Sequence, residues 1–254
     1  MVDLHSHILP CLDDGATSRE EGIELISMLN RLGFTEICAT PHHIEGGWMP
    51  QLSRIDSALD DLRTEIESRS LHVRLLRGAE YYLDVSLFDR LAAAEIIRLG
   101  ESNMFLIEFP HTVNADLLCA SLFRLAQECA AAQLTPLLAH PERYNGKDFV
   151  RWIAQLSQYG FLFQMDLLSL SHRSPRHVGK QAVQLLERQA YYGFGSDVHR
   201  PTPSLEAELE GALDQVERLG GRKSFGLSQL ADPRSDLFTP ASKDETSPWW
   251  EGAK

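Results

Sequence analysis

Histidines and carboxylates fall in five separated segments of this 254-residue chain, nearly all just after a short apolar run. The segments are Asp3-Leu4-His5-Ser6-His7, Thr40-Pro41-His42-His43, Gly78-Ala79-Glu80, Ala139-His140-Pro141-Glu142-Arg143-Tyr144 and Gly195-Ser196-Asp197-Val198-His199. A polar residue placed directly after an apolar strand is what a parallel α/β sheet produces when its strand ends share one site. No other feature constrains the fold as strongly, because it requires several strands that end on the same side. The apolar runs predict strands at Met1–His5, Glu36–Thr40, Val73–Arg77, Met104–Glu108, Thr135–Ala139, Gly160–Met165 and Tyr191–Gly195, with helices between them. That alternation implies an α/β fold of parallel strands joined by right-handed crossovers, and seven units favour a closed, barrel-like sheet. His5, Thr40 (leading to His42), Glu80, Glu108, His140 and Asp197 lie at or just past the strand ends.

The helical segments carry their own signals. Leu52, Ile55, Leu59, Leu62 and Ile66 repeat at spacings of three and four, as do Leu118, Leu122, Leu125 and Cys129. Ser18 and Glu21 form a capping box for a helix running to about Leu32 and stopped by Gly33. Ser204 opens a late helix that Gly220 closes. With 43% hydrophobic residues the chain suits one domain, placed at residues 1–231. Residues 232–254 are rich in Asp, Ser, Pro and Lys and read as a tail, either packed on the outside through Trp249 and Trp250 or disordered.

Composition excludes some functions. No apolar run reaches the length of a membrane span. The N-terminal stretch has neither a basic segment nor an apolar signal core, which argues against secretion and for the cytoplasm. Cys11, Cys38, Cys119 and Cys129 are scattered, with no C-x-x-C, and read as thiols in a reducing compartment. A net charge of -12 disfavours nucleic acid as a partner. It would also repel a phosphate substrate, so any phosphate site needs a local positive centre.

The clustered residue types point to metal chemistry. His5 and His7 are two apart, so on an extended segment both imidazoles can reach one ion. Asp197 and His199 have the same spacing. Glu80 can bridge two divalent ions, and Glu108, set in Phe105-Leu106-Ile107-Glu108-Phe109, needs a partner if buried. Arg143, three residues after His140, can contact phosphate oxygens through two donors, and Arg200 could do the same. Asp13-Asp14-Gly15 also fits an ordinary turn. Glu45-Gly46-Gly47-Trp48-Met49 reads either as a surface loop or as a mobile rim whose Trp48 packs on an aromatic substrate. His72 and His177 read as surface residues; His111 and His172 are left open. Cysteine-based phosphate chemistry needs Arg six residues after Cys, and no cysteine has that spacing; Cys119 and Arg124 come nearest. Mixed imidazole and carboxylate ligands suit manganese, iron or zinc.

Taken together these segments resemble the PHP (polymerase and histidinol phosphatase) superfamily. Glu80-Tyr81-Tyr82, Ile107-Glu108-Phe109 and His140-Pro141-Glu142-Arg143-Tyr144 are most similar to the CpsB type, the bacterial manganese-dependent protein-tyrosine phosphatases of capsule and exopolysaccharide synthesis. The resemblance covers about residues 1–230 and implies a distorted (β/α)7 TIM-like barrel, the PHP fold, with three divalent metal ions. It implies one ion on His5, His7, Glu80 and Asp197, a second on Glu80, Glu108 and His140, and a third on Asp14, His42 and His199. Arg143, with Arg200, would bind phosphate, and His43 and Trp48 would contact substrate. His42, His199, Arg143 and Asp197 would take part in catalysis, with a metal-bridging hydroxide attacking phosphorus. The implied substrate is a phosphotyrosine protein, a tyrosine-rich tail of a polysaccharide-synthesis kinase. A small-molecule phosphatase, such as one for histidinol phosphate, and a non-catalytic metal-binding module are the alternatives. A homo-oligomer is compatible with all of these. Two differences stand out: the family often has a basic residue soon after His-His where this chain has Ile44-Glu45, and it tends to have Gln-x-Asn where this chain has Gln164-Met165-Asp166. Three divalent ions carry about six positive charges against about four from Asp14, Glu80, Glu108 and Asp197, so a cationic pocket can exist on an acidic protein.

Overall fold

The computed structural model describes residues 1–110, 115–144 and 149–219, with residues 115–120 described by backbone alone. His111, Gly220 and residues 232–254, with Trp249 and Trp250, lie outside the described residues, as do the side chains of Leu118 and Cys119. In chain order the elements are β1 (Val2–Ser6), α1 (Arg19–Arg31), β2 (Glu36–Ala39), β3 (His42–His43), α2 (Leu52–Ser68), β4 (Arg74–Arg77), β5 (Glu80–Tyr82), α3 (Val85–Ala93) and β6 (Met104–Glu108). They continue with α4 (Ala115–Ala131), β7 (Thr135–Ala139), α5 (Phe149–Gln158), β8 (Leu162–Asp166), α6 (Arg176–Glu187), β9 (Gly193–Gly195) and α7 (Leu205–Arg218). Single 3-10 turns follow β7 at Pro141–Arg143 and β8 at Leu167–Leu170.

Every strand pairing is parallel, in one run β1-β2-β4 and a second β3-β5-β6-β7-β8-β9. The two runs are pieces of one curled, distorted barrel. β2 and β3 occupy one barrel position, interrupted at Thr40-Pro41, where proline has no amide hydrogen for the ladder. β4 and β5 occupy another, interrupted at Gly78-Ala79. Counted this way, seven strand positions result. β1 meets the end of β9 through the Ser6–Val198 bridge, with His7 N–H donating to Val198 O at 2.9 Å and Asp197 N–H to His5 O at 2.8 Å. Between β4 and β6 there is no ladder. Gly100 N–H donates to Arg77 O at 2.8 Å and Leu99 N–H to Met104 O at 2.8 Å, so residues 99–100 fill that gap.

The strands are buried on both faces, as their continuous apolar runs require. One face gathers Val2, Leu4, Leu76, Met104, Leu106 and Leu137. The other, with Ile37, Leu75, Phe105, Ile107, Leu138 and Phe163, joins Ile26, Leu62 and Leu125 of the surrounding helices in the main core. Ser18 caps α1, its hydroxyl accepting from Glu21 N–H at 3.2 Å. The Glu21 carboxylate reaches Thr17 N–H and Oγ1 at 2.7 Å, so the capping box closes one residue early. On α2, Ile55, Leu59, Leu62 and Ile66 are buried, whereas Leu52, predicted on the same face, is exposed at the helix start. Among the described residues no helix is long and apolar enough to cross a membrane.

Candidate metal centre

The strand ends converge as their order predicts. β1 delivers His5 and, one residue past its end, His7; β3 delivers His42; β5 opens on Glu80; β6 ends on Glu108; and the residues just after β7 and β9 supply His140, Asp197 and His199. Asp14 comes from the β1–α1 connection. His5 Nε2 lies 3.1 Å from Glu80 Oε2, 3.3 Å from Asp197 Oδ1 and 3.0 Å from His7 Nε2. His7 Nε2 lies 3.4 Å from both Glu80 Oε2 and Asp197 Oδ1. His140 Nε2 is 3.2 Å from Glu80 Oε1 and 3.8 Å from Glu108 Oε1. At the mouth, Asp14 Oδ1 is 3.6 Å from His42 Nε2 and 3.5 Å from His199 Nε2. The structure thus brings all of these residues to one end of the barrel.

Whether this donor set fits cations can be tested on the imidazoles. His5 Nδ1 faces Gln164 Oε1 at 3.0 Å, an acceptor, so it carries the hydrogen and leaves a lone pair on Nε2. His7 Nδ1 faces Asp13 Oδ2 at 2.7 Å, with the same consequence. With both rings neutral, two lone pairs stand 3.0 Å apart and repel unless a positive centre, a metal ion or a proton, lies between them. Ligand atoms on a common ion, at bond lengths of about 2.1 Å, stand about 3.0–3.4 Å apart at their tetrahedral or octahedral edges. The spacings among His5, His7, Glu80 and Asp197 fall in that interval. Glu80 Oε2 is buried and only 2.9 Å from His42 Nδ1, yet neither atom has a partner in hydrogen-bond geometry. These atoms converge on shared points rather than on one another. Three such groups are present among the described residues: His7, Asp14, His42 and His199; His5, His7 and Glu80; and His42, Glu80 and Glu108.

The electrostatics point the same way. Burial alone would lower His5, but the Glu80 and Asp197 carboxylates overcome it and lift the imidazole to about 9. His7 is likewise raised against burial, by hydrogen bonds to Asp13, Asp197 and Glu80. Glu80 and Asp197 are held well below the carboxylate range despite burial, Glu80 by His5, His140 and His42 and Asp197 by His5, Arg143 and His7. Such a field draws cations; protons answer it when metal does not.

Backbone geometry serves the same end. His140 and Asp197 have φ of 34° and 50°, a region rare for residues with side chains and often held at functional sites. At Gly195 a Cβ would lie 2.4 Å from His5 Cβ and 2.5 Å from Gln164 Nε2, so only glycine lets β9 come this close to the ligands.

Sequence reading missed the residues behind the ligands. Asp13 accepts from His7 Nδ1 and, at 2.9 Å, from His42 N–H and Gly15 N–H, and its carboxyl is lowered to about 2, against burial, chiefly by His7. Gln164 orients His5. Asp3 accepts from Ser196 Oγ at 2.5 Å and Ser196 N–H at 2.9 Å, tying β1 to β9. The alternation of Gln164 and Asp166 on β8 was the available signal for two inward polar residues.

The four predicted substrate contacts separate. Arg143 Nη2 reaches Asp197 Oδ2 at 2.5 Å and Asp166 Oδ2 at 2.6 Å, beside the cluster. Trp48 stacks on His42 with ring centroids 5.5 Å apart and planes 19° apart. His43, adjacent to His42 on a strand, faces the other way; it stacks on Tyr81 at 5.0 Å, and burial with the nearby Arg90 charge lowers it to about 4. Arg200 is exposed, and the carboxylate it acts on is Glu21. His72, His172 and His177 are exposed.

The profile of a family described as capsular polysaccharide synthesis, CpsB/CapC, matches residues 1–228. The chain belongs to the CpsB/CapC family. It is 27% identical over 234 residues to the tyrosine-protein phosphatase YwqE of Bacillus subtilis, spanning 91% of this chain and 90% of that protein. It also matches a crystal structure from work on YwqE of Bacillus subtilis and CpsB of Streptococcus pneumoniae, described as unique metal-dependent tyrosine phosphatases. That match has a TM-score of 0.72 and 26% identity and covers 85% of this chain and 87% of that one. Histidinol phosphate phosphatase of Lactococcus lactis shares the fold, at a TM-score of 0.54 and 10% identity over 87% of this chain and 94% of that one. The CpsB/CapC family and the PHP-type distorted barrel therefore agree with the expectations from sequence.

Proposed function

We propose that this chain is a cytoplasmic, metal-dependent protein-tyrosine phosphatase that removes phosphate from phosphotyrosine, on a tyrosine-rich tail of a kinase of polysaccharide synthesis. The observation that carries the reading is the meeting of His5 Nε2 and His7 Nε2 with Glu80 and Asp197 in a buried site. The names of the relatives support the reaction class. We assign one ion to His5, His7, Glu80 and Asp197, a second to Glu80, Glu108 and His140, and a third to Asp14, His42 and His199, with manganese preferred. Divalent ions held there supply acidified water and neutralise phosphate charge.

The chain's own groups do the rest. Asp13 and Gln164 fix the tautomers of His7 and His5, so both offer Nε2. Arg143 uses Nη2 for its two ion pairs, and its remaining N–H groups can hold phosphate oxygens. Trp48, on the rim, offers a flat face to the tyrosyl ring. A phenol leaves with a pKa of about 10 and needs little acid help. His42 and His199 would be ligands of the third ion at the mouth, where the departing phenolate meets solvent and takes its proton from water.

The test is side-by-side turnover of a phosphotyrosine peptide and histidinol phosphate by manganese-loaded protein. The peptide is expected to be hydrolysed with the higher kcat/KM. Preference for histidinol phosphate would replace this reading with a small-molecule phosphatase.

A further inference from the structure

Beside the metal centre, across the β3–α2 loop, lies a cavity of about 570 Å³. It opens where β4 and β6 do not pair, so Arg77, Gly100 and the residues before β6 form part of its wall. Its volume falls within the range of about 300–1,000 Å³ usual for ligand pockets. On a protein of net charge -12, three arginines, Arg77, Arg90 and Arg98, line it against a single acid, Glu95. Asp56 pairs with Arg77 at 3.0 Å, and Glu95 is 3.9 Å from Arg90. Arg98 is exposed and has no ion pair among the described residues. A second observation is independent of charge: His43 lines the cavity at 2% exposure, and its buried Nδ1 has no hydrogen-bond partner. The Nε of Arg90 is buried and unpartnered too. Buried polar atoms are rarely left unsatisfied without a ligand or water to meet them.

The rim is apolar. Trp48, Met49 and Leu52 are 40%, 39% and 46% exposed, half of the six large hydrophobic side chains that stand exposed among the described residues. Trp48 stacks on His42 at the metal centre while its neighbour Met49 lines the cavity. Because Trp48 and Met49 are adjacent, a peptide whose phosphotyrosine enters the strand-end cluster would cross Trp48 on its way to the cavity.

We propose that this cavity binds the acidic, partly apolar stretch of substrate chain flanking the phosphotyrosine, an inference that rests on the phosphatase reading. Arginines that select acidic flanks and an apolar rim that holds leucine-like side chains would then give protein substrates an advantage over small aryl phosphates.

Two readouts test this. Steady-state turnover compares a phosphotyrosine peptide with glutamate and leucine flanks, one with serine and glycine flanks, and 4-nitrophenyl phosphate. Fluorescence anisotropy follows the unphosphorylated acidic peptide without needing turnover. Wild type should favour the acidic peptide. Arg98→Glu should raise KM for it about five- to tenfold, leave kcat and 4-nitrophenyl phosphate turnover unchanged, and weaken the anisotropy signal. Leu52→Ser should act in the same direction and less strongly. Equal KM for the two peptides in wild type, or equal KM shifts for peptide and 4-nitrophenyl phosphate, would overturn the proposal. So would inorganic phosphate competing away the anisotropy signal as effectively as excess unlabelled acidic peptide, which would make the cavity a small-anion site. Failure of the phosphatase reading shows separately, as wild type releasing phosphate from none of the three substrates while anisotropy still reports on the cavity.

Discussion

The strand-end cluster and the arginine-lined cavity lie on two sides of one loop, and their polar groups are arranged in opposite ways. In the cluster, imidazoles are interleaved with carboxylates, and a further layer of Asp13, Gln164 and Asp3 fixes them. The surplus is negative and calls for cations. In the cavity, arginines outnumber acids, so the surplus calls for an anion. On the proposed reading, an acidic protein takes a phosphorylated, acidic chain because both attractions are local. The difference also predicts which substitutions strike one region and spare the other.

The largest effect is expected at Asp197, which touches His5, His7 and Arg143. Asp197→Ala should cut turnover by on the order of a thousandfold or more, with circular dichroism unchanged and peptide binding at the cavity retained. Near-normal turnover would remove Asp197 from the site. Asp13→Asn should weaken metal affinity about 10- to 100-fold, because an amide holds His7 Nδ1 less firmly than a carboxylate does. Metal titration reads this, and unchanged affinity would make Asp13 a turn residue only. Gly195→Ala, whose methyl would collide with His5 and Gln164, should lower stability by about 1–3 kcal/mol, read as a lower denaturation midpoint. A wild-type midpoint would show that β9 has room to shift.

The smallest expected effect concerns pH. Glu142 accepts from Asp166 N–H at 2.9 Å and from the Tyr191 hydroxyl at 3.0 Å, and burial, then the Asp166 charge, raises it to about 7. Unfolded, it titrates near about 4.3. The folded state therefore binds this proton more tightly, and the stability it brings is full below about pH 4 and lost as pH rises to 7. Glu142→Gln should flatten the stability profile across that window. An offset constant with pH would contradict the assignment.

These two regions were not equally legible in the sequence. The seven strand positions and the convergence of the histidines could be read because strand ends leave a linear mark, an apolar run followed by a ligand. β3 and β5 did not register as strands of their own, since the breaks at Thr40-Pro41 and Gly78-Ala79 leave only two and three paired residues beyond them. His43 was grouped with His42 as a contact at one site, although adjacent strand residues must face opposite ways. Asp13 and Gln164 bear no ligand-type spacing of their own; only the fold puts them behind His7 and His5. The cavity leaves no linear mark. It depends on β4 and β6 failing to pair, a non-local event, and its arginines come from a strand, a helix and a connection with no common period.

The most direct measurement is metal content by elemental analysis, paired with phosphotyrosine-peptide turnover before and after chelation. Protein reloaded with manganese should bind up to three ions per chain, by the ligand sets assigned above, and turnover should vanish on chelation and return with the metal. Hydrolysis that persists at full rate in metal-free protein would contradict the assignment, as would a reloaded chain that holds no divalent ion.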